Sequence, residues 1–312
     1  MEPVKLANCL SAARLCLMIA LAIIGGVHCE TVRAEPMDVV PRQVAGGNIG
    51  VDLPEAGLVD EGNYSNPYFG LRWPLPAAWR QGLAGPPPSR NGFYVLVALD
   101  GPAESRTSML VTAQDLFFAG KAFANAVDLL ADVHAHITEL PDLVIDAKPA
   151  TRMIAGRPFG HFAYHAGGIY RIMLSTVLRC HLVMFNVSGP DQTAVDAAAR
   201  ELEAMSIPAM DDKEAALANV TPLCIKDYLA ANATLRRVDP VPGDPKGVNI
   251  PVRIIIGTSG RVRHVHVISA SDSQRRAIED ALMRWEFSPH LIEGQPVEIE
   301  SGVLFNFKAD KT

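Results

Sequence analysis

The clearest alternation of apolar and polar positions lies near the end of the chain, from Asn249 to Phe307. Pro251-Val252-Arg253-Ile254-Ile255-Ile256 is β-branched and too short for a helix, which predicts a strand. Thr258-Ser259-Gly260-Arg261 follows, with a glycine where a tight hairpin needs positive φ. Val262 to Ile268 then alternates, with Arg263, Val265 and Val267 on one face and Val262, His264 and His266 on the other. Ser271 and Gln274 fit a capping box, and the helix it opens carries Ile278, Ala281, Leu282 and Trp285 along one stripe. Glu286-Phe287-Ser288-Pro289 stops that helix, because proline removes a donor and biases its predecessor away from helical φ and ψ. Gly294-Gln295-Pro296 turns the chain into a last strand predicted over Val297 to Phe307. The order is β-β-α-β.

The Gly260 hairpin, the Trp285-Glu286-Phe287-Ser288-Pro289 run, the Gly294-Gln295-Pro296-Val297 turn and the Val303-Leu304-Phe305-Asn306-Phe307 strand together resemble the TonB C-terminal domain. The resemblance implies a small three-stranded sheet with one helix on one face. It also implies a periplasmic module that pairs with extended segments of other envelope proteins. On that basis Val297, Ile299, Val303, Phe305 and Phe307 mark a partner-binding edge, open to an envelope protein, an extended peptide segment or a second copy of the chain. Two features depart from the family: Asp239-Pro240-Val241-Pro242 stands where a Tyr-Pro pair is usual, and no long Pro-Lys-rich stretch precedes the unit.

Upstream, the pattern predicts a larger unit over 63–208. Aromatic residues from Tyr64 to Trp79 are broken by prolines. Strands are expected at Phe93 to Leu99, Thr107 to Thr112, Thr151 to Ala155, Phe159 to His165, Ile169 to Val177 and Cys180 to Ser188. Ala122 to Leu140 reads as an amphipathic helix, with Phe123, Val127, Leu130, His134 and Ile137 inward, and Asp191 to Met205 as a second, with Val195, Ala198 and Leu202 inward. The opening Tyr-x-Asn-x-x-x-Gly-Leu and Pro-x-x-Trp segment, the Ile154-Ala155-Gly156-Arg157-Pro158 turn and the strand ending in Phe185 make this unit similar to the PsbP-like fold. That resemblance implies binding or scaffolding. The fold class is α+β: an antiparallel-sheet PsbP-like domain, then a ββαβ unit over 249–312. Residues 35–62 read as a flexible lead-in. Residues 209–248 read as a helical segment, with helices at Asp211 to Val220 and Leu223 to Leu235, followed by a Pro/Gly linker.

Residues 1–34 carry an address. Lys5 and Arg14 precede an apolar core from Leu15 to Ile24, and Val32-Arg33-Ala34 offers a cleavage site, which predicts export to a periplasm. The alternative is an inner-membrane anchor over residues 10–27, although ten to thirteen apolar residues fall short of the roughly twenty a span requires. Beyond this leader only Cys180 and Cys224 remain. They could pair in an oxidising compartment, or Cys180 could sit in its apolar strand as a small buried hydrophobe. A formal net charge of -6 makes phosphate backbones poor partners.

The nine histidines prompt a metal search. His134 and His136 point roughly 200° apart on a helix. His264 and His266, and likewise His161 and His165, share strand faces but lack a third ligand, so solvated histidine faces are expected. No Gly-x-Ser-x-Gly elbow, His-Glu-x-x-His helix or Walker loop occurs in the sequence. No catalytic residue, metal or cofactor is therefore assigned. Two function classes follow. One is a non-enzymatic envelope protein that accepts a strand, or a TonB-type energy transducer if the leader is retained. The other is a small-ligand binder or degenerate enzyme whose pocket would use Trp73, Trp79, Tyr164 and Tyr170, aromatic residues that more often fill cores.

Overall fold

A computed structural model describes residues 52–82, 85–119, 125–137, 142–208, 223–226, 228–229, 234–241 and 249–307. The predicted leader and the expected helix over Asp211 to Val220 lie outside the described residues. So does most of the Pro/Gly linker.

The first unit is built on a seven-stranded antiparallel sheet. Its strands are β4 (Arg80–Gln81), β5 (Phe93–Asp100), β6 (Ser108–Asp115), β7 (Val144–Ile154), β8 (Arg157–Ala166), β9 (Ile169–Leu178) and β10 (His181–Gly189), in the spatial order β4-β5-β6-β10-β9-β8-β7. Strict alternation lets the sheet bury both faces. One face carries Val97, Leu99, Met109, Val111, Ile172, Leu174, Val183 and Phe185 against helix α2 (Gln192–Arg200) and a small meander. The meander comprises β1 (Leu58–Asp60), β2 (Asn63–Asn66) and β3 (Leu71–Pro74). The other face packs Phe162, Tyr164 and Met173 against Leu130, Val133 and Ile137 of helix α1 (Ala126–Ile137).

The second unit joins β11 (Leu223–Cys224), β13 (Asn249–Ile256), β14 (Val262–Val267) and β18 (Ile299–Asn306) in the order β11-β18-β13-β14. Helix α3 (Asp272–Leu282) opens on the expected capping box, with Ser271 and Gln274 satisfying each other's main chain. It lays Ile278, Leu282 and the following Trp285 over Val252, Ile254, Val265, Val303 and Phe305. Two short pairs complete the unit: β12 (Thr234–Arg236) with β15 (Glu286–Phe287), and β16 (His290–Ile292) with β17 (Gln295–Val297). The hairpin glycine Gly260 has φ +78°, and its carbonyl accepts from Phe287 N at 2.8 Å.

Several expectations change. The stretch over 35–62 is not wholly a lead-in, because Leu58–Asp60 forms β1 on Asn63–Ser65. The inward stripe of α1 is Ala126, Leu130, Val133 and Ile137, whereas Val127 and His134 are half-buried; Phe123 lies outside the described residues. Cys180 is not in a strand. It follows Arg179 in the β9–β10 turn, and both have positive φ. At the two ends of the span expected to be helical, Leu223–Cys224 pairs with β18 and Thr234–Arg236 with β15, so these ends are strands. The last predicted strand breaks at Glu298 into β17 and β18.

Candidate functional site: the C-terminal sheet, its free edge and its covered face

Each strand of the second unit has two faces and β18 has an outer edge, and these fare differently. The side chains of Val297, Ile299, Val303 and Phe305 are buried, and Phe307 is partly buried, all in the core beneath α3. They form the floor of the edge rather than a surface for a partner. What the edge offers is backbone. Leu223 N donates to Glu298 O and Ile225 N to Glu300 O, each at 3.0 Å, so even-numbered residues of β18 turn their main-chain groups outward. The same parity follows from the middle strand. Pro251, opposite Leu304, gives its carbonyl to Ile268 N on the β14 side and so cannot bond Leu304. By continuation, Gly302, Leu304 and Asn306 turn their N–H and C=O groups outward, away from β13. Among the described residues no strand pairs with them, since β11 ends at Cys224 opposite Glu300. A cavity of about 230 Å³ runs beside this stretch, lined by Leu229, Arg237, Trp285 and Gly302 to Phe305. Arg237 lies over the Trp285 ring at 5.3 Å, and Trp285 Nε1 donates to Val238 O at 2.7 Å, which fixes the groove wall.

The face of this sheet opposite α3 is covered by the first unit. Arg253, His264, His266, Glu300 and Gly302 lie there. A Cβ on Gly302 would come within 2.6 Å of Phe117 Cβ, so only glycine permits this approach. Arg253 is 2% exposed and donates from Nη1 to Asp115 at 2.6 Å and from Nε to Glu300 at 3.1 Å. Its guanidinium also sits 4.6 Å from the Phe117 ring. Tyr68 donates to Glu300 at 3.2 Å, and Arg179 approaches Glu300 at 3.7 Å while stacking 4.1 Å over Tyr68. His181 Nδ1 lies 2.7 Å from Arg179 O and therefore carries the proton, leaving Nε2 to accept from Arg253 at 3.4 Å. Two guanidinium groups thus balance two carboxylates, the condition under which burial of charge is tolerable. The disulfide between Cys180 and Cys224, with Cα atoms 5.8 Å apart, adds a covalent tie between the first unit and β11.

His264 and His266 are therefore not a solvated face: they are 5% and 6% exposed beneath the first unit, with His266 3.1 Å from Glu55. A bulge in the β13–β14 pairing puts Val262 into the core instead of on the histidine face. Burial, and then the neighbouring His266, lowers the His264 pKa from 6.5 to about 4. Burial, and then the Arg253 charge, holds His181 well below its ordinary range. Burial raises the carboxyl of Asp115, against the pull of Arg253.

A group whose folded pKa is depressed contributes stability above its unfolded value and loses it as pH falls through the folded one. Stability should thus decline from about pH 6.5 towards 4, by up to about 1.4 kcal/mol per pH unit for each histidine. Asp115 acts in the opposite sense. Urea midpoints measured across this range should fall, and His264→Leu should flatten the curve; an unchanged slope in that variant would remove His264 from the account.

The four aromatic residues considered as a pocket do not converge. Trp73 and Tyr164 are buried in different clusters, Trp79 packs at 6.4 Å from Trp73, and Tyr170 stacks on His165 at 4.5 Å. His165 also meets Asp146 at 2.8 Å. Sequence reasoning assigned no role to Arg253, Asp115, Glu300 or His181. The available signal was Arg253 itself, a lone cation inside a β-branched run.

No curated protein matches the chain. Among solved structures, that of cyanobacterial PsbP from Synechocystis sp. PCC 6803 is similar over 53% of this chain and 98% of its own length, at 14% identity and a TM-score of 0.35. Among the described residues no helix is long and apolar enough to cross a membrane. Residues 247–309, which hold the sheet edge and most of its groove, match the family model of the Gram-negative bacterial TonB protein C-terminal.

Proposed function

We propose that this is an exported cell-envelope protein that binds an extended segment of another envelope protein along the free part of β18, running no reaction there. The observation that carries the reading is the outward backbone of Gly302, Leu304 and Asn306 beside an apolar groove. An unpaired strand edge is a template for strand addition, with main-chain bonds giving affinity and the adjoining pocket giving selectivity. The family match supports an envelope setting. The leader supports export, and cleavage after Ala34 would make Glu35 the mature N-terminus, which mass spectrometry of a periplasmic fraction tests.

Leu304→Pro is the discriminating variant. Proline deletes one outward N–H and leaves the β13 ladder intact, so the fold should survive. Extended peptides selected by display on the full chain should bind this variant at least about tenfold more weakly, the equivalent of one lost main-chain hydrogen bond. Equal binding by both proteins would place the docking surface elsewhere.

A further inference from the structure

We infer that the Cys180–Cys224 disulfide is a redox latch holding β11 over the first part of the β18 edge. Reduction would then lengthen the docking edge from Gly302–Asn306 to Glu298–Asn306. The inference rests on the docking function proposed above and adds its control. β11 is a two-residue strand in parallel pairing with Ile299 and Glu300. Its hold is the two-residue ladder with Ile299 and Glu300, the Leu223 and Ile225 N–H donations, one bond from Ser301 Oγ to Ile225 O at 2.7 Å, and the partial packing of Leu223 and Ile225 against the core. Leu223 and Ile225 are only half-buried. So few bonds barely offset the entropy of fixing the segment. The disulfide makes the pairing an intramolecular event and tips the balance. β11 also shows what fits this edge: an extended segment with apolar residues at alternate positions, as in Leu223-Cys224-Ile225.

The bond is placed for exchange. Cys224 is exposed, whereas Cys180 is 5% exposed in its turn. The thiolate of a dithiol reductant attacks Cys224 Sγ, and the Cys180 sulfur leaves with the electron pair and takes up a proton. The second thiol of the reductant then attacks its own sulfur in the mixed disulfide. Cys224 is released and protonated, and the reductant leaves as a disulfide, so two electrons and two protons are transferred.

The test uses the full chain, oxidised, reduced with dithiothreitol, and as Cys224→Ser. Hydrogen exchange is read at Leu223 and Ile225, with Ile278 and Ala281 of α3 as the reference for intact folding. The binding probe is a synthetic peptide of residues 221–228 carrying Cys224→Ser. The latch predicts at least tenfold faster exchange at Leu223 and Ile225 on reduction, unchanged exchange in α3, and at least tenfold tighter probe binding. Persistent protection of Leu223 and Ile225 once both thiols are free would overturn the latch. Collapse of α3 protection would also overturn it, by making the disulfide a global staple. Release of β11 without tighter probe binding would instead contradict the docking edge, leaving the release itself established.

Discussion

Arg253→Met should cost the protein about 3–5 kcal/mol, because it removes one cation from a buried set and leaves its carboxylate partners uncompensated. Methionine nearly fills the space, so the loss is electrostatic rather than a cavity effect. Asp115 and Glu300 are each at most 3% exposed, and water cannot take over the role of the guanidinium. Much of this loss should return when Asp115→Asn and Glu300→Gln are added, since the same desolvation penalty then falls on neutral groups. The cluster also joins two units with separate cores. The wild-type chain should therefore melt in one cooperative transition, and Arg253→Met in two. Calorimetry decides: a single unshifted transition in the variant would show that the interface does not depend on this charge.

Trp285→Ala should be comparably severe, at about 3–5 kcal/mol for a large aromatic side chain removed from a core. Trp285 is 1% exposed and lies about 6 Å from both Phe287 and Phe305 in ring-centroid distance. The substitution also strands the carbonyl of Val238 and opens the wall of the groove beside β18. Trp285→Phe keeps most of the packing and loses mainly the hydrogen bond, so it should cost only about 1–3 kcal/mol. Chemical denaturation of the two variants separates these contributions, and similar losses for Ala and Phe would mean that the indole N–H, not ring volume, matters here.

Elements whose order is set locally were legible in the sequence. The capping box at Ser271, the stripe of Ile278, Leu282 and Trp285, and the Gly260 hairpin each follow from spacing and backbone preference within a dozen residues. The strands β5, β8, β9 and β10 are legible in the same local way, as short apolar stretches, with turn glycines between β7 and β8 and between β8 and β9. What was not legible depends on contacts far apart in the chain. Arg253 reads as a stray cation until Asp115, 138 residues away, is seen to meet it. His264 and His266 read as solvated because alternation reveals that they share a face but not what covers it. Leu223 to Leu235 has an acceptable helical composition, yet Leu223–Cys224 pairs with β18 and Thr234–Arg236 with β15, a choice that tertiary partners make. Alternation alone does not separate the two sides of the last strand: the side chains of Val303 and Phe305 belong to the core, while the main-chain groups that point away from β13 are those of the residues between them.

That alternation supplies the most direct test of the central claim. Residue-resolved amide exchange on the full chain, with and without a selected extended peptide, should show new protection at Gly302, Leu304 and Asn306. Ser301, Val303 and Phe305, already paired to β13, should not change. Protection that ignores this odd–even pattern, or that gathers in the first unit while β18 stays unchanged, would contradict docking by backbone on the free edge.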